Sequence, residues 1–165
     1  VDATHFERFY SDYIYITYQE DFMEPDWFQR FHGCHVDGFQ SHRVDPKLPI
    51  DRLYFAIDKD PTIFYPHAFD MSKYDTQKHD FFAIFNELAQ EDKALPLNAY
   101  TLYLFNAVSV HRASPTTKAG LRRFFRITCS QRINDRAGCS KNPHIDYNWD
   151  FRLQQTRAKV RWIIK

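Results

Sequence analysis

Alternation of apolar and polar residues along the chain predicts several short β-strands. Aromatic and β-branched residues dominate the most N-terminal of these runs, and turn-forming residues separate the others. The longest run covers residues 100–111, where period-two alternation places His111 on one face of a strand with Tyr103 and Phe105. The strands predicted in this way span residues 10–18, 34–39, 53–57, 62–65, 100–111 and 121–130.

One segment, at about residues 75–93, has the periodicity of a helix instead. Its apolar residues recur at helical spacing: Phe81, Phe82, Phe85, Leu88 and Ala89. Many short strands with one main helix predict a mainly β fold with flanking helices, in the form of a jelly-roll barrel with the helix packed outside.

Length and composition are those of a globular protein. The chain has 165 residues, of which 44% are hydrophobic and 26% charged, so we expect one domain spanning residues 1–165 rather than a disordered or fibrous chain. No apolar stretch approaches the length needed to cross a bilayer. Three cysteines are too few for a disulfide framework, which fits a reducing compartment and predicts a cytoplasmic location.

Charge is distributed unevenly along the chain. Residues 1–111 contain 9 Lys and Arg against 18 Asp and Glu, whereas residues 112–165 contain 13 against 3. The basic part could attract an anionic cosubstrate, an anionic substrate or nucleic acid. Two solvated faces of opposite sign that partly neutralise each other explain the asymmetry equally well.

The chemistry of the chain is concentrated first in the segment His35-Val36-Asp37. Residues i and i+2 of a strand point to the same side, so His35 and Asp37 could grip one metal ion. A third ligand must come from elsewhere, and His111, 74 residues beyond Asp37, is the candidate. Two imidazoles and one carboxylate form a facial triad that leaves metal positions open and favours Fe(II) over zinc. A zinc site drawn from His32, Cys34 and His35 is the weaker alternative.

Arginines follow the second histidine at strand spacing. Arg122 and Arg126 share one strand face with Thr128, and arginine binds carboxylates through two parallel hydrogen bonds. The pair could therefore hold a dicarboxylate beside the metal, and the Thr128 hydroxyl could add a donor. Solvated surface arginines are the alternative, which Phe124 on the same face makes less favourable.

The ordered set of an HxD segment, a distal histidine and a following arginine resembles the Fe(II)/2-oxoglutarate-dependent dioxygenase superfamily. The stretch from His111 to Arg122, ending Gly-Leu-Arg, looks like that of phytanoyl-CoA-hydroxylase-type and taurine-dioxygenase-type enzymes. Arg126-Ile127-Thr128 resembles the RxS signature of other branches, with Thr in place of Ser. The resemblance covers residues 34–130 and implies a double-stranded β-helix, the jelly-roll core shared with cupins.

The resemblance also implies roles for these residues. Fe(II) would be held by His35, Asp37 and His111, with 2-oxoglutarate and O2 as cosubstrates and succinate and CO2 as co-products. Arg122 is favoured for the distal carboxylate of 2-oxoglutarate, with Arg126 close behind. Tyr54 is a further candidate hydrogen-bond donor to the cosubstrate. An intact Asp37 argues for hydroxylation, because related halogenases replace this carboxylate with a small residue.

The sequence does not identify the substrate or the oligomeric state. A small molecule hydroxylated at a C–H bond is the default expectation. An enzyme that oxidises a nucleobase of DNA or RNA is the first alternative, because of the basic C-terminal part. A jelly-roll module that binds a ligand without catalysis is the second.

Overall fold

The computed structural model describes residues 13–37, 51–75, 78–131 and 143–144. The chain divides into two compact units, Val1–Arg132 and Ile133–Lys165, and every helix and strand given below belongs to the first. None of the helices in these described ranges has the length and apolarity required to span a membrane.

In the described part of the first unit, two strands of 11 residues and five shorter ones accompany two short helical segments. The strands are β1 (Tyr13–Met23), β2 (Arg52–Ile57), β3 (Ile63–Phe64), β4 (Leu95–Pro96), β5 (Tyr103–Asn106), β6 (His111–Arg112) and β7 (Gly120–Ser130). Helix α1 covers Phe81–Leu88 and a 3-10 helix covers Glu91–Lys93. The Asp80 carboxylate accepts hydrogen bonds from two backbone N–H groups of the first turn, so it caps α1.

The larger of two antiparallel sheets has the strand order β1-β7-β2-β5. Its register aligns Thr17, Arg126 and Phe55 across three strands. The side chains of such aligned residues point to the same face of a sheet, as do those two positions further along. This inner face therefore carries Arg122, Phe124 and Arg126 from β7 beside Phe55 from β2.

The smaller sheet has the order β4-β3-β6. Its strands have two residues each. Phe64 on β3 lies directly opposite His111 on β6. His35 adds an isolated antiparallel bridge on the other side of His111. The smaller sheet thus holds both histidines of the predicted triad.

Two hydrophobic clusters form the core. One cluster packs beneath the smaller sheet and against α1, and it contains Cys34, Val36, Tyr65, Phe85 and Val110. The other lies on the inner face of the larger sheet around Phe55, Ile57 and Phe124. Packing on both sheets, rather than the short strands themselves, is what holds these elements in place.

The prediction of a mainly β protein with flanking helices is confirmed, and both sheets are antiparallel. Within the described ranges the sheets are separate and do not close into a barrel. The strand predicted over residues 10–18 is present as β1, although residues 10–12 lie outside the described part. The helix predicted over residues 75–93 is shorter in the structure. It covers Phe81–Leu88 and is followed by the 3-10 helix Glu91–Lys93.

The single strand predicted over residues 100–111 is wrong. The chain leaves the larger sheet after Asn106 and enters the smaller sheet at His111. The Asn106 side chain accepts hydrogen bonds from Val108 N (3.1 Å) and Ser109 Oγ (3.0 Å), which stabilises a turn between the two sheets. That turn places His111 in a different sheet, although its ring stays 5.4 Å from the ring of Phe105 across the cleft.

Candidate metal centre

His35 and His111 lie directly opposite each other in an antiparallel bridge. Each backbone N–H donates to the carbonyl oxygen of the other residue, at 2.9 and 3.0 Å. Side chains of directly paired residues leave the backbone on the same side, which explains why the two imidazole centroids are 4.4 Å apart. Backbone pairing therefore brings together two histidines that are far apart in sequence.

Asp37 completes the cluster from two residues beyond His35. One potential ligand atom from each of His35, Asp37 and His111 lies within 4.8 Å of the other two. Of the His, Cys, Asp and Glu side chains in the described residues, these three form the group that could hold a metal ion. The three residues predicted as ligands are thus assembled in space.

Both imidazoles present the same nitrogen to the cluster. The Nδ1 of His35 lies 2.8 Å from the carbonyl oxygen of Gly33, and the Nδ1 of His111 lies 2.9 Å from that of Ser109. Because a carbonyl oxygen only accepts, each Nδ1 carries the proton and each Nε2 keeps a lone pair. A hydrogen bond of this kind to the remote nitrogen is the usual support of a metal-bound histidine.

Burial keeps the two histidines ready to bind a cation. The pKa of His35 is lowered to about 4, mainly by burial and secondly by the proximity of His111. Burial likewise lowers the pKa of His111 below its usual range. Both rings are therefore neutral near pH 7, so a metal ion need not displace a proton from either.

The segment that carries His35 is fixed by close packing. A β-carbon on Gly33 would lie 2.7 Å from the ring of Phe31 and 3.1 Å from the amide nitrogen of Asn86, so any other residue here would have to displace these side chains. Asn86 on α1 accepts a hydrogen bond from Cys34 N at 2.9 Å. Cys34 and Val36 are buried in the core cluster, whereas His35 between them turns to the metal cluster. The alternative zinc set therefore loses Cys34, which packs into the core.

A cleft of about 460 Å³, including its open mouth, lies between the two sheets and contains the metal cluster. The polar part of the lining is cationic, since three arginines face one carboxylate. The lining residues are Arg30, His35, Asp37, Phe55, Thr62, Phe105, His111, Ala113, Arg122, Phe124 and Arg126.

Arg126 lies next to the metal cluster. Its Nη1 donates to Asp37 Oδ2 at 3.0 Å, in an ion pair about one-fifth exposed on each side. Within the described ranges its buried Nε has no hydrogen-bond partner. A buried donor without an acceptor is costly, so this nitrogen is suited to an acceptor atom of a ligand.

Arg122, by contrast, is committed to the protein. Only 1% of its surface is exposed. Its Nε donates to Lys59 O at 3.1 Å, its Nη2 to Asp60 O at 2.9 Å and its Nη1 to Gln29 Oε1. All three guanidinium nitrogens therefore already hold the turn after β2 and the segment around Gln29 against β7.

Replacement of Arg122 by alanine is expected to destabilise the protein by about 3 kcal/mol, because it leaves several buried oxygens without a donor. Arg123→Ala is the matched control. Arg123 is adjacent on β7 but exposed, and it pairs with Glu20 and Asp58 at the surface, where such pairs contribute little. Urea unfolding of both variants measures the difference. Equal stability of the two would contradict a structural role for Arg122.

Two other predicted cosubstrate residues lie apart from the cleft. Tyr54 is next to Phe55 on β2 and points to the opposite face of the larger sheet, so it does not line the cleft. Thr128 is on the inner face of β7, opposite Leu53, but beyond the cleft lining. Their roles stay predictions. Of the basic part, residues 112–165, only 112–131 and 143–144 belong to the described residues, and the end of the strand predicted at 34–39 lies outside them.

Sequence reasoning missed Arg30. It lies in the irregular segment between β1 and His35, where no periodicity indicates which side chains point inward. Its guanidinium lies 4.7 Å from the centroid of the Phe124 ring, and its Nη1 donates to Gln19 Oε1 at 3.2 Å. Phe55, Phe105 and Phe124 were likewise not predicted as site residues, although they form the apolar part of the lining.

The donor set fits a divalent transition metal. Two imidazole Nε2 atoms and one carboxylate provide three ligands, and the cleft leaves space beside them for further ligands. Comparisons of the chain with protein-family models, curated proteins and solved structures found no match.

Proposed function

We propose that the protein is an Fe(II)- and 2-oxoglutarate-dependent dioxygenase that hydroxylates a small molecule. The observation that carries the proposal is the His35, Asp37 and His111 cluster with both Nε2 atoms free to ligate, inside a cleft lined by arginines. In such enzymes, Fe(II) together with 2-oxoglutarate and O2 supplies the oxidant for a C–H bond and yields succinate and CO2. Facial sets of two histidines and one carboxylate suit this chemistry.

In this proposal Arg126 holds a carboxylate of 2-oxoglutarate. Arg126 combines a position beside the metal ligand Asp37 with a buried Nε that lacks a partner among the described residues. Arg122 has all three nitrogens engaged, so its contribution is to position β7 and to add positive potential to the cleft. Among the described residues, Arg126 thus has an unused hydrogen-bond donor and Arg122 has none. This favours Arg126 as the cosubstrate residue, whereas the sequence favoured Arg122.

The remaining lining residues would orient the substrate and limit access of water. Phe55, Phe105 and Phe124 form the apolar part of the lining, which would limit the access of water to the cleft. Asp37 occupies the carboxylate position, which is the reason to propose hydroxylation. Two antiparallel sheets that face each other across the metal cluster support a double-stranded β-helix as the fold.

The proposal is tested by the fate of 2-oxoglutarate. Protein loaded with Fe(II) should convert labelled 2-oxoglutarate to succinate and CO2 in the presence of O2. Even without the true substrate, slow uncoupled turnover is expected. A non-catalytic binding module with the same scaffold would produce no succinate.

A further inference from the structure

Within the described residues, Arg30 is the arginine of the cleft that has no carboxylate of its own: Asp37 attracts it electrostatically but forms its ion pair with Arg126. Arg126 is paired with Asp37. Arg122 is surrounded by carbonyl oxygens and is attracted electrostatically to Asp60, Asp58 and Asp21. Arg30, within the described residues, donates to a neutral amide, Gln19 Oε1, and stacks on Phe124. A half-buried guanidinium that shares one carboxylate with a second arginine is unfavourable unless a ligand supplies another anion.

A count of the formal charges in the proposed holoenzyme also leaves Arg30 as the additional positive charge. A divalent metal, the Asp37 carboxylate, the 2-oxoglutarate dianion and the Arg126 guanidinium sum to zero. Histidines that ligate a metal ion are neutral. Within the described residues, Arg30 then adds one further positive charge to the cleft that it lines. The pKa of Arg30 is lowered, mainly by burial and then by Arg126, although Asp37 opposes this.

We propose that Arg30 binds an anionic group, a carboxylate or a phosphate, of the primary substrate, so that the enzyme acts on small acids. This inference rests on the proposed function for the identity of the second ligand. Arginine provides planar paired donors for either anion, and the Phe124 ring beneath the guanidinium holds it in place without consuming those donors. Arg30 is thus a specificity-determining residue, distinct from the cosubstrate contact at Arg126.

The test uses inorganic phosphate and acetate as probes, followed by line broadening of their 31P and 1H resonances. Each probe is titrated into the metal-free protein and into protein loaded with Mn(II) and saturating 2-oxoglutarate. Wild type should bind at least one probe saturably in both states, and the stronger probe identifies the anion class. Arg30→Gln should weaken this binding by about tenfold or more, because it removes a charge-assisted contact.

Three further variants keep the test decisive. Arg123→Gln, on the outer face of β7, should bind the probes like wild type, and Arg30→Lys should retain part of the affinity through its charge. If Arg30→Gln does not fold, Gln19→Glu replaces it. That change places a carboxylate on Arg30 and should displace the probe in the same way.

The proposal is overturned if Arg30→Gln, or Gln19→Glu in its place, binds both probes as tightly as wild type. It is also overturned if Arg30→Gln lowers the affinity for 2-oxoglutarate as much as Arg126→Gln does, since Arg30 would then belong to the cosubstrate site. If wild type binds no 2-oxoglutarate at all, the dioxygenase proposal fails by itself. The titration of the metal-free protein still decides whether Arg30 forms an anion site.

Discussion

Replacement of His35 or Asp37 by alanine is expected to abolish tight binding of Fe(II), which wild type should bind at one ion per chain under anaerobic conditions. Each variant removes one of three protein ligands of the cluster. Loss of a group that merely supports a ligand lowers metal affinity by about ten- to a hundredfold, so loss of a ligand itself should exceed that range. Anaerobic equilibrium dialysis with iron analysis measures the affinity and the stoichiometry.

His79→Ala is the matched control for this experiment. His79 is an exposed histidine that caps the turn before α1 through Asp75, away from the cleft. Its removal should leave one tightly bound iron per chain. If both His35→Ala and Asp37→Ala bind iron as wild type does, the metal lies elsewhere and the cluster is a structural pair of histidines.

The second large effect concerns the cosubstrate. With the metal site saturated, Arg126→Gln is expected to raise the dissociation constant for 2-oxoglutarate by about ten- to a hundredfold, because a charge-assisted hydrogen bond is lost beside the metal. The cause is the buried Nε of Arg126, which has no partner within the described ranges, together with its contact to Asp37. Under anaerobic conditions, the visible charge-transfer band of the chelated keto acid reports binding.

Arg122→Gln separates the two arginines. Its nitrogens already donate to Gln29, Lys59 and Asp60, so this variant should lose stability before it loses cosubstrate affinity. Arg123→Gln controls for a general loss of positive charge on β7. A larger loss of 2-oxoglutarate binding in Arg122→Gln than in Arg126→Gln, at equal metal occupancy and in folded protein, would restore the order expected from sequence.

Much of the site could be predicted from sequence because its elements are local. His35 and Asp37 are two residues apart, so strand geometry alone puts them on one side. Arg122 and Arg126 share a face of β7 for the same reason, and the register of the larger sheet directs that face to the cleft. The alternation of strand faces does not show how many hydrogen-bond donors of each arginine the protein already uses. That number depends on neighbours distant in sequence.

His111 is the predicted third ligand, but the single strand predicted to carry it is wrong. Alternation from Tyr103 to His111 looks like one strand. The Asn106 side chain, however, accepts hydrogen bonds from Val108 N and Ser109 Oγ, and the chain turns there into the other sheet. Such a turn competes with the strand through side-chain hydrogen bonds, which an apolar pattern does not register. His111 reaches the metal cluster through its bridge to His35, a pairing between segments 76 residues apart that sequence periodicity cannot report.

Arg30 illustrates the same limit from the other direction. No strand or helix repeat covers the segment between β1 and His35, so its inward side chains are fixed only by tertiary contacts. One such contact is a pair of backbone hydrogen bonds between Asp26, Trp27 and Thr116. A sequence pattern could have indicated an arginine near the HxD segment, but not that it would lie over Phe124.

The central claim is tested most directly by succinate production from 2-oxoglutarate. Wild-type protein, Asp37→Ala and His79→Ala are each incubated with Fe(II), labelled 2-oxoglutarate and O2, and succinate is quantified against matched anaerobic samples. The dioxygenase proposal predicts succinate that requires both iron and O2, is equal in wild type and His79→Ala, and is absent in Asp37→Ala. Wild-type protein that binds Fe(II) and 2-oxoglutarate but forms no succinate, with or without small acids present, would contradict it.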